Sequence, residues 1–169
     1  MKNKYILLAL SFCFLVYNSQ ATTYYVKTTG NNSSAGTSWA SAKADLQEAI
    51  NASASGDQIW IAQGTYCPTL MVNGFAGSTQ AEQRDQTFYN LGGKTLYGGF
   101  AGTETLITQR NISINPVILS GNIGNVSVNT DNCYHVLIVP SGAVTIDGLT
   151  ISCGIADLPL YHYLEKILK

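Results

Sequence analysis

Asn129, Asp131 and Asn132 place three oxygen-bearing side chains within four consecutive positions. Carboxylate and carboxamide oxygens grouped in this way are what a hard divalent cation such as calcium takes as ligands. The same residue types hydrogen-bond their own backbone in turns, so an Asx-rich turn is the plainer reading of the run. Trp60, Tyr66 and Tyr97, with Tyr24 and Tyr25, offer flat aromatic faces that suit the apolar side of a pyranose ring. Trp60 alternates with Ile59 and Ile61, so either it or they face the core, and most of these aromatics read as packing residues. His135 and His162 have no serine or cysteine placed beside them by any motif, which leaves a hydrolytic triad unsupported. Cys67, Cys133 and Cys153 show no CxxC or Cys/His spacing, so zinc is unsupported; one pair could bond in an oxidising compartment. No catalytic set is assigned, and calcium is the one cofactor these residues suggest.

The elements that must position these residues are short. Gly93 to Glu104 reads as a strand over Lys94–Tyr97 running into a bend with glycines at 98, 99 and 102. A strand that short beside so much glycine cannot offset its own backbone entropy, so it makes sense as one rung of a stack. Similar pieces precede and follow it: Thr22–Thr28, Gln58–Ala62, Val117–Gly121, His135–Val139, Val144–Asp147 and Leu149–Ser152. Turn glycines at 64, 98, 121 and 154 recur at intervals of 34, 23 and 33 residues. Apart from Asp147-Gly148, adjacent apolar runs are not joined by Asn-Gly or Asp-Gly, which favours parallel stacking over an antiparallel meander. One helix is expected, with Trp39, Ala42, Leu46, Ala49 and Ile50 on one face, Ser41 as N-cap and Gly56 as the stop. Its expected task is to cover the open first rung. Residues 30–38, 67–86, 103–115 and 122–132 read as loops.

The chain begins as an export signal does. Lys2 and Lys4 precede an apolar run from Tyr5 to Val16, and Ser19-Gln20-Ala21 supplies small residues for cleavage. The run is shorter than the ~20 residues a membrane-spanning helix needs. The other reading is a buried N-terminal strand or helix. Cleavage after residue 21 leaves 148 residues, enough for one domain with a real core. It also lowers the basic count from nine to seven against ten acidic residues, a net charge of −3. Nucleic acid, which calls for a basic stripe, is therefore not an expected partner.

Gly-Thr-Ser-Trp, Asp-Leu-Gln-Glu-Ala-Ile and Ser-Gly-Asp-Gln-Ile-Trp-Ile-Ala-Gln-Gly-Thr-Tyr resemble the N-terminal cap and first coil of secreted bacterial right-handed parallel β-helix proteins with a pectin-lyase-like fold. Leu-Tyr-Gly-Gly-Phe-Ala-Gly-Thr-Glu-Thr, Ile-Leu-Ser-Gly-Asn-Ile-Gly, Tyr134-His135-Val136 and Ile-Asp-Gly-Leu-Thr-Ile-Ser-Cys-Gly continue the pattern. The resemblance spans about Tyr24 to Gly154. It implies an all-β solenoid with an amphipathic capping helix over 22–154, behind a signal over 1–21, exported to the medium or the cell surface. Proteins of this kind are usually longer. Residues 155–169 depart from the pattern, with Leu160, Leu164, Ile167 and Leu168 able to form an apolar helical face. They read either as a cap or as truncated or out-of-frame sequence.

Polysaccharide lyases on this fold use calcium-binding carboxylates with an arginine or lysine base. The cation neutralises a uronate, and the base must reach its C5 proton. The matching parts here are Asp131, Asp147, Lys94 and Arg110, without a repeated carboxylate ladder, and Asp147-Gly148 reads more simply as a turn. The expectation is therefore a non-catalytic adhesive or carbohydrate-binding module whose partner is a polysaccharide or cell-surface glycan. The alternative is the N-terminal part of a polysaccharide lyase or glycoside hydrolase.

Overall fold

A computed structural model describes residues 20–72, 83–90 and 92–157. The expected signal over 1–21, apart from its last two residues, and the tail beyond 157 with His162 lie outside these.

Nine strands form in the described residues: β1 (Thr23–Val26), β2 (Gln58–Ala62), β3 (Gly64–Tyr66), β4 (Phe88–Tyr89), β5 (Thr95–Phe100), β6 (Val117–Ser120), β7 (Leu137–Ile138), β8 (Thr145–Asp147) and β9 (Thr150–Ser152). They make three sheets, ordered β1-β2-β5-β8, β3-β6-β9 and β4-β7. Every pairing between these strands is parallel. From β3 onward the chain visits the sheets in a fixed rotation, so each short strand lies on its counterpart from the previous visit. This is how strands of two to six residues become stable: each is short, but its neighbours complete its hydrogen bonds and bury its apolar side.

The register lines up like with like. Ile59 lies beside Leu96 and Leu96 beside Ile146, while Tyr66 lies beside Leu119 and Leu119 beside Ile151. Ile59, Ile61, Leu96 and Leu119 are wholly buried, and with Val26, Phe88, Val117, Cys133 and Val136 they form one core. Close stacking dictates two of the turn glycines. A Cβ on Gly98 would meet the Gly148 carbonyl oxygen, and one on Gly121 the Cys153 carbonyl oxygen, both inside van der Waals contact. Of the four spaced glycines, Gly98 and Gly121 thus mark places where two stretches of backbone pack closely, whereas Gly64 and Gly154 lie against the side chains of Thr28 and Val136.

The helix, α1 (Leu46–Ala52), is shorter than its apolar spacing predicts. Its N-cap is Asp45, which accepts from the Gln47 amide at 2.7 Å, and not Ser41. Residues before Asp45 form a turn closed by the Ser41 amide on the Ser38 carbonyl and then a bridge: Lys43 pairs with Val26 in parallel, taking the Lys27 amide and donating to the Tyr25 carbonyl. The free edge of β1 requires those partners, and meeting that need outweighs another turn of helix. Seven residues make a marginal helix in isolation, but burying Leu46 and Ile50 contributes about 1.5–3 kcal/mol each. The helix ends at Ser53 with a 3.1 Å bond to the Ala49 carbonyl. Gly56, expected as the stop, lies further on at a positive φ of 93° and donates to Gly93. The described part of the chain is thus predominantly parallel β-sheet with one α-helix.

Candidate functional site: an aromatic outer face

Strand alternation divides β2 cleanly. Ile59 and Ile61 point into the core, which sends Trp60 to the opposite face of the sheet. Parallel register then sets a row across that face, with Tyr25 beside Trp60, Trp60 beside Tyr97, and Tyr97 beside Asp147. Three of the five residues put forward for sugar stacking, Tyr25, Trp60 and Tyr97, therefore share one surface.

Trp39 and Phe100 complete this surface. The Trp60 and Phe100 rings stack at 4.6 Å with their planes 9° apart, and Trp39 sits edge-on to Tyr25 at 4.8 Å. Trp39 is held in place by its indole N–H, which donates to the Glu104 carbonyl at 2.9 Å. Trp60 is only 6% exposed, so it is the floor of the cluster. Tyr25, Trp39 and Tyr97 remain half-buried and present ring surface to solvent. Beyond Tyr97 the row ends in charge. Arg110 lies 5.0 Å from the Tyr97 ring centre and pairs with the Asp147 carboxylate. Flat rings beside a paired guanidinium and carboxylate can hold a flat apolar face and bond the hydroxyls at its rim.

Tyr66 lies elsewhere. It belongs to the core, 5% exposed, and its hydroxyl donates to the Ala62 carbonyl at 2.8 Å. Burial pushes that hydroxyl far above the ordinary tyrosine value. Lys94 is also interior: its ammonium donates to the Ile50 carbonyl at 2.9 Å, and burial lowers its pKa, partly opposed by Asp57. Arg110 and Asp147 are brought together on the outer face, whereas Lys94 is committed to the end of α1 and Asp131 to the 122–132 loop.

In that loop Asp131 accepts from the Asn125 amide at 2.7 Å, and the Asn129 carbonyl accepts from the Asn132 amide at 3.2 Å. Among the described residues, no group of three or more His, Cys, Asp or Glu side chains could hold a metal ion. Cys67, Cys133 and Cys153 are unbonded. The buried Cys133 thiol is pushed up to about 11, by burial first and then by the neighbouring Cys67. No described helix is long and apolar enough to cross a membrane.

Sequence reasoning did not find Phe100 as the stacking partner of Trp60, nor Trp39 as a member of the same cluster through Tyr25 and Phe100. Trp39 looked like part of a helix face, and Phe100 follows a glycine pair that reads as a bend. The usable signal was the alternation around Trp60, which needs something to cover an outward tryptophan. The architecture and this surface define a class, a parallel-sheet protein with an aromatic outer face. Comparison with known proteins finds no matching family model, no matching curated protein and no matching solved structure.

Proposed function

We propose that the three sheets are the faces of a right-handed parallel β-helix of the pectin-lyase-like kind, capped by α1, and that the chain is a secreted or cell-surface module that binds carbohydrate without catalysis. The fixed rotation of strands through three parallel sheets supports the solenoid. The half-buried rings of Tyr25, Trp39 and Tyr97 on one outer face, backed by Trp60 and Phe100 and bordered by Arg110–Asp147, carry the binding function. A glycan is the partner such a surface suits, because stacking takes the apolar face of a sugar ring while charge-assisted hydrogen bonds take its hydroxyls.

Affinity electrophoresis through gels containing pectate, alginate or neutral glucans tests this reading. Retardation by at least one polysaccharide is expected, weakened about tenfold or more in Tyr97→Ala, since an aromatic pair alone is worth about 0.5–1.5 kcal/mol beyond its buried area. Unretarded migration in every gel, or equal retardation of the variant, overturns it. The same mixtures with calcium, followed at the unsaturated-uronate absorbance band, separate binding from lyase chemistry. Growth of that band would replace the binding module with the lyase reading.

A further inference from the structure

The loop over residues 122–132 is closed at its neck, where the Cys133 amide donates to the Gly121 carbonyl at 2.8 Å. Its interior is crossed by side chains from both ends. Asp131 reaches across to the Asn125 amide at 2.7 Å and lies against Gly124, where a Cβ would strike its carboxylate. The Asn122 carboxamide reaches the adjoining residue, donating to the Val126 carbonyl at 3.5 Å. Each of these groups thus has one polar atom bonded to the Asn125–Val126 segment and one left over. The leftover atoms are Asn122 Oδ1 and Asp131 Oδ1, both buried and without a hydrogen-bond partner. Asn132, at the neck and 4% exposed, has a third such oxygen in its own Oδ1.

Three buried oxygens from one loop, all acceptors, call for hydrogen-bond donors or a cation. An unsatisfied buried acceptor costs about 1–3 kcal/mol. A water has only two protons to donate, so water alone would need at least two molecules to meet the three. Arg84, the cation at this neck, already donates to the Asn132 carbonyl at 2.7 Å and pairs with Asp157 at 2.6 Å. We propose that this loop is a calcium site, with side-chain oxygens from Asn122, Asp131 and Asn132 as protein ligands and loop carbonyls and water completing the shell. Carboxamides with one carboxylate suit calcium, which accepts neutral oxygens in irregular geometry, better than magnesium, which demands a near-ideal octahedron. A single formal charge sets the affinity in the weak extracellular range, a Kd of about 0.1–1 mM. Asn122, absent from the sequence-based ligand set, takes the place of Asn129, which contributes its backbone carbonyl to the loop.

Thermal melting of the full chain, stripped with chelator and returned to calcium, magnesium or neither, tests the site. At about 10 mM calcium and a Kd near 1 mM, binding shifts the folding equilibrium roughly tenfold. This raises Tm by about 3–5 °C for a chain of this size. Magnesium at the same concentration should give well under half that rise. Asp131→Asn keeps the shape and the acceptor for Asn125 but removes the charge, and should lose most of the calcium response. An unchanged wild-type Tm in calcium, or an equal rise in the variant, overturns the proposal. Should the variant not fold, amide exchange on the wild-type chain decides. Slowing confined to residues 122–132 on adding calcium supports the site, and unchanged exchange there overturns it. The inference does not rest on carbohydrate binding, and either can fail alone.

Discussion

Glu104 shows how much one side chain can hold. Its carboxylate accepts from the amides of Ala101, Gly102 and Thr103 at 2.6, 3.0 and 2.9 Å, and its carbonyl receives the Trp39 indole. Burial alone would raise its pKa, but these backbone donors outweigh burial and hold it below the ordinary value of 4.5. The sign follows: a depressed folded pKa means the stabilisation is fully present above pH 4.5 and is lost as pH falls through the lower folded value. Glu104→Gln should therefore lower Tm by a few degrees at neutral pH, for a loss of about 1 kcal/mol, with the gap to wild type closing under acid conditions. Melting curves of both proteins across the acid range check this, and a gap independent of pH would refute it. Glu104 was invisible as a determinant in the sequence, because a glutamate in a glycine-rich loop looks like any solvated charge. Gly98 and Gly121 were legible as turn glycines, and close approach of another backbone segment is what requires a glycine at each.

At the level of elements, period and composition identified the strands around Trp60, Leu96 and Leu119 and the existence of one helix. They did not identify where the helix begins. Ala42, Leu46, Ala49 and Ile50 do fall at helical spacing, and all four are buried, yet Ala42 lies before the helix, between a turn and the Lys43 bridge. A spacing of four residues cannot distinguish a helical turn from an apolar residue that happens to precede one. The short strands β3 and β4 were hidden for another reason: three and two residues carry no period, and only the partners β6 and β7 define them. The Asp45 cap gives a direct test. Asp45 binds the Gln47 amide through one oxygen and the Thr69 hydroxyl through the other, at 2.7 Å each. Asp45→Ala should cost about 1 kcal/mol, range about 0.5–2, lowering Tm by about 2–4 °C. Ser41→Ala, at the cap the sequence suggested, should change stability by less than about 0.5 kcal/mol. The reverse order of effects would place the helix start at Ser41.

For the molecule as a whole, the stack is closed differently at its two ends. At β1 the edge is met by Lys43 and the core is covered by α1. At the other end of the described residues, β8 and β9 are the outermost strands of their sheets. There the core positions come to the surface: Ile146 is 39% and Ile151 48% exposed, although their register partners Leu96 and Leu119 are wholly buried. Apolar side chains in line with a core, beside strands whose outer edges pair with no other described strand, form a template for another strand. The full chain should therefore self-associate as its concentration rises into the range of about 10–100 μM, where exposed edges commonly drive assembly. Ile146→Lys with Ile151→Lys places charge on that template, and sedimentation velocity should find the variant monomeric with its melting largely retained. Charge is the device natural sheets use on their edges, and at partly exposed positions it costs little desolvation. If the wild-type chain sediments as a monomer throughout that range, this end does not drive assembly. If the variant associates as strongly as wild type, the contact lies on another surface, such as Ile114 or Val126, which are 70% and 84% exposed.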